Sequence, residues 1–265
     1  MRDCRLIAVD LDGTLLNSQK KISDVSLEAI RNFVCSGGRF VVSTGRPIQG
    51  IYKFKDLDEF HGLAIIYNGA MVVDTSNGEI IFSQLMDKSE SEAIIKKACK
   101  MDISFCIWAD NQLYCNRINE HVRYYQSFSD VEPIVLSDFS ELVRNGITKI
   151  LMVDTPDKIK CYTEAFSNME YANTTFCNSM PEFLECFNSK VSKGIALSKI
   201  IDICGVKREE TAAFGDAPND ISMIEYAGMG VAMGNASDIV KDAADYITDT
   251  NDNDGVAKFL AKIKG

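Results

Sequence analysis

The chain has little of what several common kinds of site require. It holds two histidines and one tryptophan in 265 residues, and His61 and His121 are too few and too far apart to build a zinc centre or a Ser-His-Asp triad. No apolar stretch reaches the ~18 residues that a membrane helix needs, and no G-x-x-x-x-G-K-[ST] phosphate loop occurs, which sets nucleotide kinases aside. Cations are scarce as well: 28 Lys and Arg face 38 Asp and Glu, a formal charge of −10. Without a basic stripe, neither a nucleic acid nor an anionic membrane is an expected partner. Nine cysteines are present, but none forms a C-x-x-C pair. Scattered in this way they read as reduced core thiols of a cytoplasmic protein. An apolar strand-like run starts within the first residues, so a secretory leader is not expected. Internal repeats and low-complexity segments are absent, and oligomeric state leaves no trace.

The most informative stretch lies near the start. Leu6-Ile7-Ala8-Val9 ends in Asp10-Leu11-Asp12-Gly13-Thr14, a run that reads as a strand buried on both faces of a parallel sheet. In open parallel sheets the ligand site lies beyond the carboxyl ends of the strands. Two carboxylates this close resist joint ionisation unless a cation sits between them or one keeps its proton. They therefore suit metal binding or divided nucleophile and acid-base duties.

The length allows one large or two ordinary domains. After the aspartates, Leu27, Ile30, Phe33 and Val34 recur at helical spacing, with Ser23 as N-cap and Gly37-Gly38 as stop. A second buried strand, Arg39 to Ser43, runs into Thr44-Gly45-Arg46-Pro47, where Pro47 can open a helix. Leu63 to Tyr67 is a third strand, followed by a hairpin from Ala70 to Phe82. Between 84 and 187 the order changes. A helix from Glu90 to Lys100, with Ser89 and Glu92 placed for a capping box, is followed by strands at 104–109, 112–115 and 148–153. A helix at 156–166 and strands near 174–178 and 183–187 complete this α+β module. From Ser192 the strand-helix alternation returns, with a helix from Lys193 to Cys204 and a strand from Thr211 to Phe214. The expected architecture is α/β: a doubly wound parallel-sheet core (1–83 and 188–265) with an inserted α+β cap (84–187).

Four separated elements would bring polar groups to one sheet edge: Asp10 with Asp12, Thr44, Lys193, and Gly215-Asp216-Ala217-Pro218-Asn219-Asp220. Asp216 repeats the placement of Asp10, beyond a strand and before a helix; the same position also suits a capping aspartate. Lys193 begins a helix, where the helix dipole disfavours a cation. A phosphate at that terminus, held by backbone N–H groups and the ammonium together, resolves the conflict. Thr44 and Gly45 supply a hydroxyl and an unobstructed N–H of the kind phosphoryl oxygens take.

Together, DLDGTLL at 10–16, STGRP at 43–47, Lys193 in VSKG and GDAPND at 215–220 resemble the haloacid dehalogenase superfamily of phosphotransferases. More narrowly, the chain resembles its Cof-type sugar phosphatases (subclass IIB), which carry a C2-type α+β cap between the second and third motifs. It departs from them at Asn188-Ser189-Lys190, where many relatives have a proline-glycine turn. The resemblance implies a Mg²⁺-dependent phosphomonoesterase acting on a small phosphorylated metabolite, a sugar phosphate first. Asp10 would be the nucleophile, forming an aspartyl-phosphate, and Asp12 the acid and then the base. Mg²⁺ would be held by the Asp10 carboxylate, the Asp12 carbonyl and Asp216. Thr44, the Leu11 and Gly45 N–H groups, Lys193 and Asn219 would bind the phosphoryl group, and Asp220 would orient Lys193. Arg46, Asn68 and Glu185 are candidates for substrate contacts between core and cap.

Two rival readings share the motifs. A phosphomutase of the phosphomannomutase type needs the same Asp10 and Asp12, and differs only in whether a second sugar hydroxyl, rather than water, takes the phosphoryl group. A binding protein that kept the fold without catalysis would be expected to lack one of Asp10, Asp12, Lys193 or Asp216, and all four are present. The glycine-rich stretch at 228–234 imitates a dinucleotide fingerprint, but it follows a helix and enters a strand, the reverse of the required order.

Overall fold

The first apolar run forms strand β1 (Leu6–Asp10), with all five residues buried. In the computed structural model, residues 4–167 and 171–263 are described. Ser23 caps α1 (Asp24–Cys35), its side chain accepting from the Ser26 N–H. Then come β2 (Arg39–Ser43), a short α2 (Ile48–Tyr52) opened by Pro47, β3 (Leu63–Ile66), β4 (Met71–Asp74) and β5 (Ile80–Ser83).

The chain divides into two compact units, one built from residues up to Phe82 and from Ser192 onward, the other from Ser83–Val191. Within the second unit, α3 (Lys88–Lys100) begins two residues before the expected start. Asp87, not Ser89, is its cap, its carboxylate accepting from the Ser89 and Glu90 N–H groups. The capping box expected at Ser89 and Glu92 is thus overturned: the aspartate stands earlier and takes the orphan donors first. Next are β6 (Phe105–Ala109), β7 (Gln112–Cys115), α4 (Glu120–Ser129), β8 (Ile134–Val135), α5 (Ser140–Asn145), β9 (Lys149–Val153), α6 (Pro156–Ser167), β10 (Thr174–Met180) and β11 (Phe183–Asn188). Their sheet runs β10-β11-β9-β6-β7-β8. One face packs Phe105, Ile107, Ile150, Met152 and Leu184 against Ile94, Ile95 and Phe166 of α3 and α6. α4, which the sequence pattern did not reveal, is pinned to the sheet where the Trp108 indole N–H donates to the Tyr125 hydroxyl at 2.7 Å.

The first unit resumes with α7 (Lys193–Cys204), β12 (Thr211–Gly215), α8 (Ile221–Tyr226), β13 (Met229–Ala232), α9 (Asp238–Asp242), β14 (Tyr246–Ile247) and α10 (Gly255–Leu260). Its sheet runs β14-β13-β12-β1-β2-β3-β4-β5, with β1 between β12 and β2. Every pairing from β14 to β3 is parallel, while β4 runs antiparallel to β3. Leu6 and Ala8 pack on one face with Ala196, Leu197 and Ile200 of α7. On the other, Phe214 meets Phe259 of α10 edge to face, centroids 5.2 Å apart. Each buried Leu or Ile on such a doubly covered strand contributes ~1.5–3 kcal/mol, enough to fix β1 and so the position of Asp10 at its end.

Candidate active site

Asp10 ends β1 opposite Ser43 of β2 and is nearly inaccessible. Its Oδ1 accepts from Lys193 Nζ at 2.6 Å. Lys193, the first residue of α7, is wholly buried and also donates to Asp220 Oδ1 at 2.6 Å and to the Ser43 carbonyl at 3.0 Å. All three ammonium donors are thereby used. Asp220 has its other oxygen, Oδ2, fixed by the N–H groups of Asp216 and Ala217, both at 3.0 Å. Both of its oxygens are committed to protein donors.

Asp216 follows β12 and accepts from the Thr14 hydroxyl at 2.7 Å. Gly13 stands between them. Its φ is +86°, and a Cβ there would lie 2.3 Å from Asp216 Oδ2, so only glycine permits both the turn and the approach. Thr44, buried, accepts at Oγ1 from the Arg46 N–H at 3.2 Å; its own N–H is spent on the Ile65 carbonyl. Its hydroxyl proton remains to donate. Asn219 Nδ2 donates to Asn68 Oδ1 at 2.9 Å, and that same oxygen would be 2.8 Å from a Cβ on Gly45. Asn68 therefore belongs with Gly45 and Asn219 at the edge of the core unit. Leu11 is buried directly after Asp10.

The electrostatics follow from burial. Burial above all pushes the Asp10 carboxyl up to about 8; Lys193 opposes this, and Asp220 and Asp216 add to it. Asp216 is also raised, by burial and by Asp220, against the Thr14 hydrogen bond. Burial works against the Lys193 ammonium, yet Asp10 and Asp220 outweigh it and raise its pKa. Carboxylate oxygens of Asp10, Asp216 and Asp220 lie within 4.8 Å of one another. Ionised together, three carboxylates against one ammonium would leave an excess of negative charge, and an all-oxygen donor set is what a hard divalent cation takes. Since Asp220 is occupied by Lys193 and two amides, Asp10 and Asp216 are the carboxylates that could hold such a cation.

Asp12 has a different environment. Arg46 grips it with both arms of the guanidinium, Nε to Oδ2 and Nη2 to Oδ1, each at 2.7 Å, and Lys20 Nζ adds 2.9 Å to Oδ1. Burial works against the charge, but these bonds outweigh it and bring the carboxyl down to about 2.

A sequence model of the haloacid dehalogenase-like hydrolases matches residues 7–260. The chain belongs to this family. It is 33% identical over 97% of its length to the 5-amino-6-(5-phospho-D-ribitylamino)uracil phosphatase YcsE of Bacillus subtilis, covering 95% of that protein. The crystal structure of TM0651 from Thermotoga maritima superposes with a TM-score of 0.89 at 31% identity, covering 99% of this chain and 98% of that one. A haloacid dehalogenase subclass IIB sugar phosphatase, BT4131, superposes with a TM-score of 0.78 at 27% identity, over 97% and 98% of the two chains. As a member of this phosphatase family the protein is a hydrolase of phosphoric monoesters, and among the described residues no helix is long and apolar enough to cross a membrane.

Glu185 lies on β11 of the other unit, where it accepts from Lys149 Nζ at 2.8 Å and the Ser179 hydroxyl at 2.7 Å. Three contributors escaped the sequence reading. Thr14 lies inside the first motif, where its apolar neighbours drew attention to the strand. Lys20 and Asn235, whose Nδ2 donates to the Gly13 carbonyl at 2.8 Å, carry no local signal, because the partners that give them meaning are distant or across a turn.

Proposed function

We propose that the protein is a Mg²⁺-dependent phosphomonoesterase of a small phosphorylated metabolite, working through a phosphoryl group carried on Asp10. The observation that carries this reading is Asp10 itself: a carboxylate at a buried strand end, beside Asp216, Asp220 and Lys193, with Asp12 two residues on. Asp10, Asp216 and the Asp12 carbonyl would hold Mg²⁺, which would supply the positive charge that the cluster lacks and polarise the phosphoryl oxygens. The Asp10 carboxylate attacks phosphorus, forming an acyl-phosphate bond as the ester P–O bond breaks. Asp12 gives the departing oxygen a proton, then takes one from the water that attacks the acyl-phosphate, releasing inorganic phosphate and free Asp10. Thr44, the Leu11 and Gly45 N–H groups and Asn219 hold the phosphoryl oxygens, joined by Lys193 as its bond to Asp10 opens when Asp10 attacks phosphorus, while Asp220 keeps the ammonium in place.

The proposed leaving group is a sugar or polyol. A relative is named a sugar phosphatase and another a phosphatase of a ribityl phosphate, so both classes head the list of substrates to try. Arg46, Asn68 and Glu185 are further proposed substrate contacts, with selection residing in the inserted unit, and the cytoplasm is the proposed location. The test is phosphate release from phosphorylated sugars, ribityl phosphates, nucleotides, pyridoxal phosphate and flavin mononucleotide, with Mg²⁺ and with chelator. Metal-dependent release that disappears in Asp10→Asn supports the reading. Conversion of a hexose 1-phosphate to its 6-phosphate without release would make the protein a mutase instead.

A further inference from the structure

Asp12 is proposed to pass a proton to and from the reacting oxygens, yet its carboxylate is occupied by three donors from two cations. Held between two cations, Asp12 is kept in its ionised form and has no proton to give a leaving oxygen, and its Oδ2 is taken by Arg46. From this we infer that Arg46 is a shared residue: it holds Asp12 while no phosphate ester is bound and moves to the ester's phosphate oxygens when one arrives, which frees the Oδ2 of Asp12 and leaves Lys20 on Oδ1. The inference rests on the phosphoryl-transfer reading above.

Four observations support the exchange. The Arg46–Asp12 contact is a two-armed fork at 2.7 Å on each arm, and the same planar fork fits phosphate as well as carboxylate. The Arg46 backbone N–H is anchored on Thr44 Oγ1, so the side chain swings from a fixed point beside a hydroxyl proposed to bind the phosphoryl group. The guanidinium also sits over the Phe54 ring, 5.3 Å from its centroid; that flat face can support the side chain while its polar edge changes partners. Finally, both members of the pair are partly open to solvent, with side-chain exposures of 27% for Arg46 and 38% for Asp12. Separation therefore strands neither charge in a dry interior, unlike Lys193, which is fully enclosed between its two carboxylates.

Competition of this kind has a signature that simple charge effects lack. Tungstate, a phosphate mimic, is titrated calorimetrically into the full chain in Mg²⁺, using wild type, Asp12→Ala, Arg46→Gln and the double variant. If Asp12 and the anion compete for Arg46, Asp12→Ala tightens tungstate about ten-fold or more, Arg46→Gln weakens it, and the gain from Asp12→Ala vanishes in the Arg46→Gln background. Removal of a nearby negative charge alone would give the same gain in both backgrounds, and that additive result overturns the exchange, as does no gain at all. Should Arg46→Gln fail to fold, Arg46→Lys replaces it: lysine keeps the cation but lacks the fork, and the gain is then expected to shrink. A wild type that neither binds tungstate nor releases phosphate from any ester overturns the phosphatase reading with it. A wild type that does both but gives an additive cycle overturns only the exchange.

Discussion

Replacing Asp220 with Asn changes one oxygen to an NH₂ group at almost constant shape, yet the site leaves no good orientation for it. The carboxylate serves two sets of donors, Lys193 Nζ at 2.6 Å on one side and the N–H groups of Asp216 and Ala217 at 3.0 Å on the other. An amide has one accepting oxygen. Turned toward the backbone, it points its own N–H at the Lys193 ammonium; turned toward Lys193, it points N–H at two N–H groups. Either way a fully buried donor faces a donor. Breaking a buried ion pair by removing one partner costs ~3–5 kcal/mol, and because Lys193 keeps Asp10 and the Ser43 carbonyl, the lower end, about 3 kcal/mol, is expected. At roughly 2–4 °C per kcal/mol for a chain of this size, calorimetry of the metal-free protein should find Tm lowered by about 6–12 °C. Adding Lys193→Met should cost less than the two single changes summed, because the stranded ammonium is then gone. A drop below about 2 °C, or strict additivity, would show that the Lys193–Asp220 pair does not hold the core together and would refute this account.

Further outcomes follow from the same geometry. With the Asp10 carboxyl raised from its ordinary 3.8 to about 8, the folded metal-free protein binds a proton that the unfolded chain has lost between those values. Its stability should therefore fall as pH rises from about 4 to 8; urea titrations across that window should show the slope removed in Asp10→Asn and reduced by Mg²⁺. Gly13→Ala forces a Cβ to within 2.3 Å of Asp216 Oδ2 at φ +86°, so Mg²⁺ affinity measured by calorimetry should fall at least about ten-fold, and an unchanged affinity would remove Asp216 from the metal site. In the inserted unit, Lys149→Met leaves Glu185 buried without its cation and should cost ~3 kcal/mol, whereas Lys149→Met with Glu185→Leu should be close to neutral in urea unfolding. Glu185→Gln should raise KM for a sugar phosphate several-fold while leaving KM for p-nitrophenyl phosphate unchanged; equal shifts would take Glu185 out of leaving-group selection.

How far the sequence can be read depends on how local each signal is. β1, β2 and α7 were legible because each is an unbroken apolar or periodic run closed by its own punctuation: Asp10 and Gly13, Thr44-Gly45, and Ser192 with Gly205. Asp10, Thr44, Lys193 and Asp216 could be nominated as candidate site residues for the same reason, since each ends or directly follows a strand or opens a helix. α4 was not, because its Tyr, Phe and Ser content argues weakly for a helix and what holds it is the Trp108–Tyr125 bond across the sheet. The clamp on Asp12 was equally hidden. Arg46 stands in a recognisable motif, but only the fold shows that its guanidinium meets a carboxylate 34 residues earlier, and Lys20 becomes visible only once the turn brings it back over Asp12. Lys193 was expected to face a phosphate at its helix terminus; what meets its ammonium is Asp220, expected to orient it, and Asp10, a partner that no reading of its own helix could supply.

The central place of β1 has a consequence for how the protein is made. β1 leaves the ribosome before the strands it pairs with, and β2 can join one of its edges soon afterwards, but Leu6 pairs on the other edge with Thr211, roughly 200 residues later. At about 5–20 residues per second that edge waits ~10–40 s for its partner. Through that interval an apolar strand, carrying the proposed nucleophile, has an unpaired edge open to other strands. Slowing translation should therefore lower the yield of soluble protein, and a chaperone that shields strand edges should restore it.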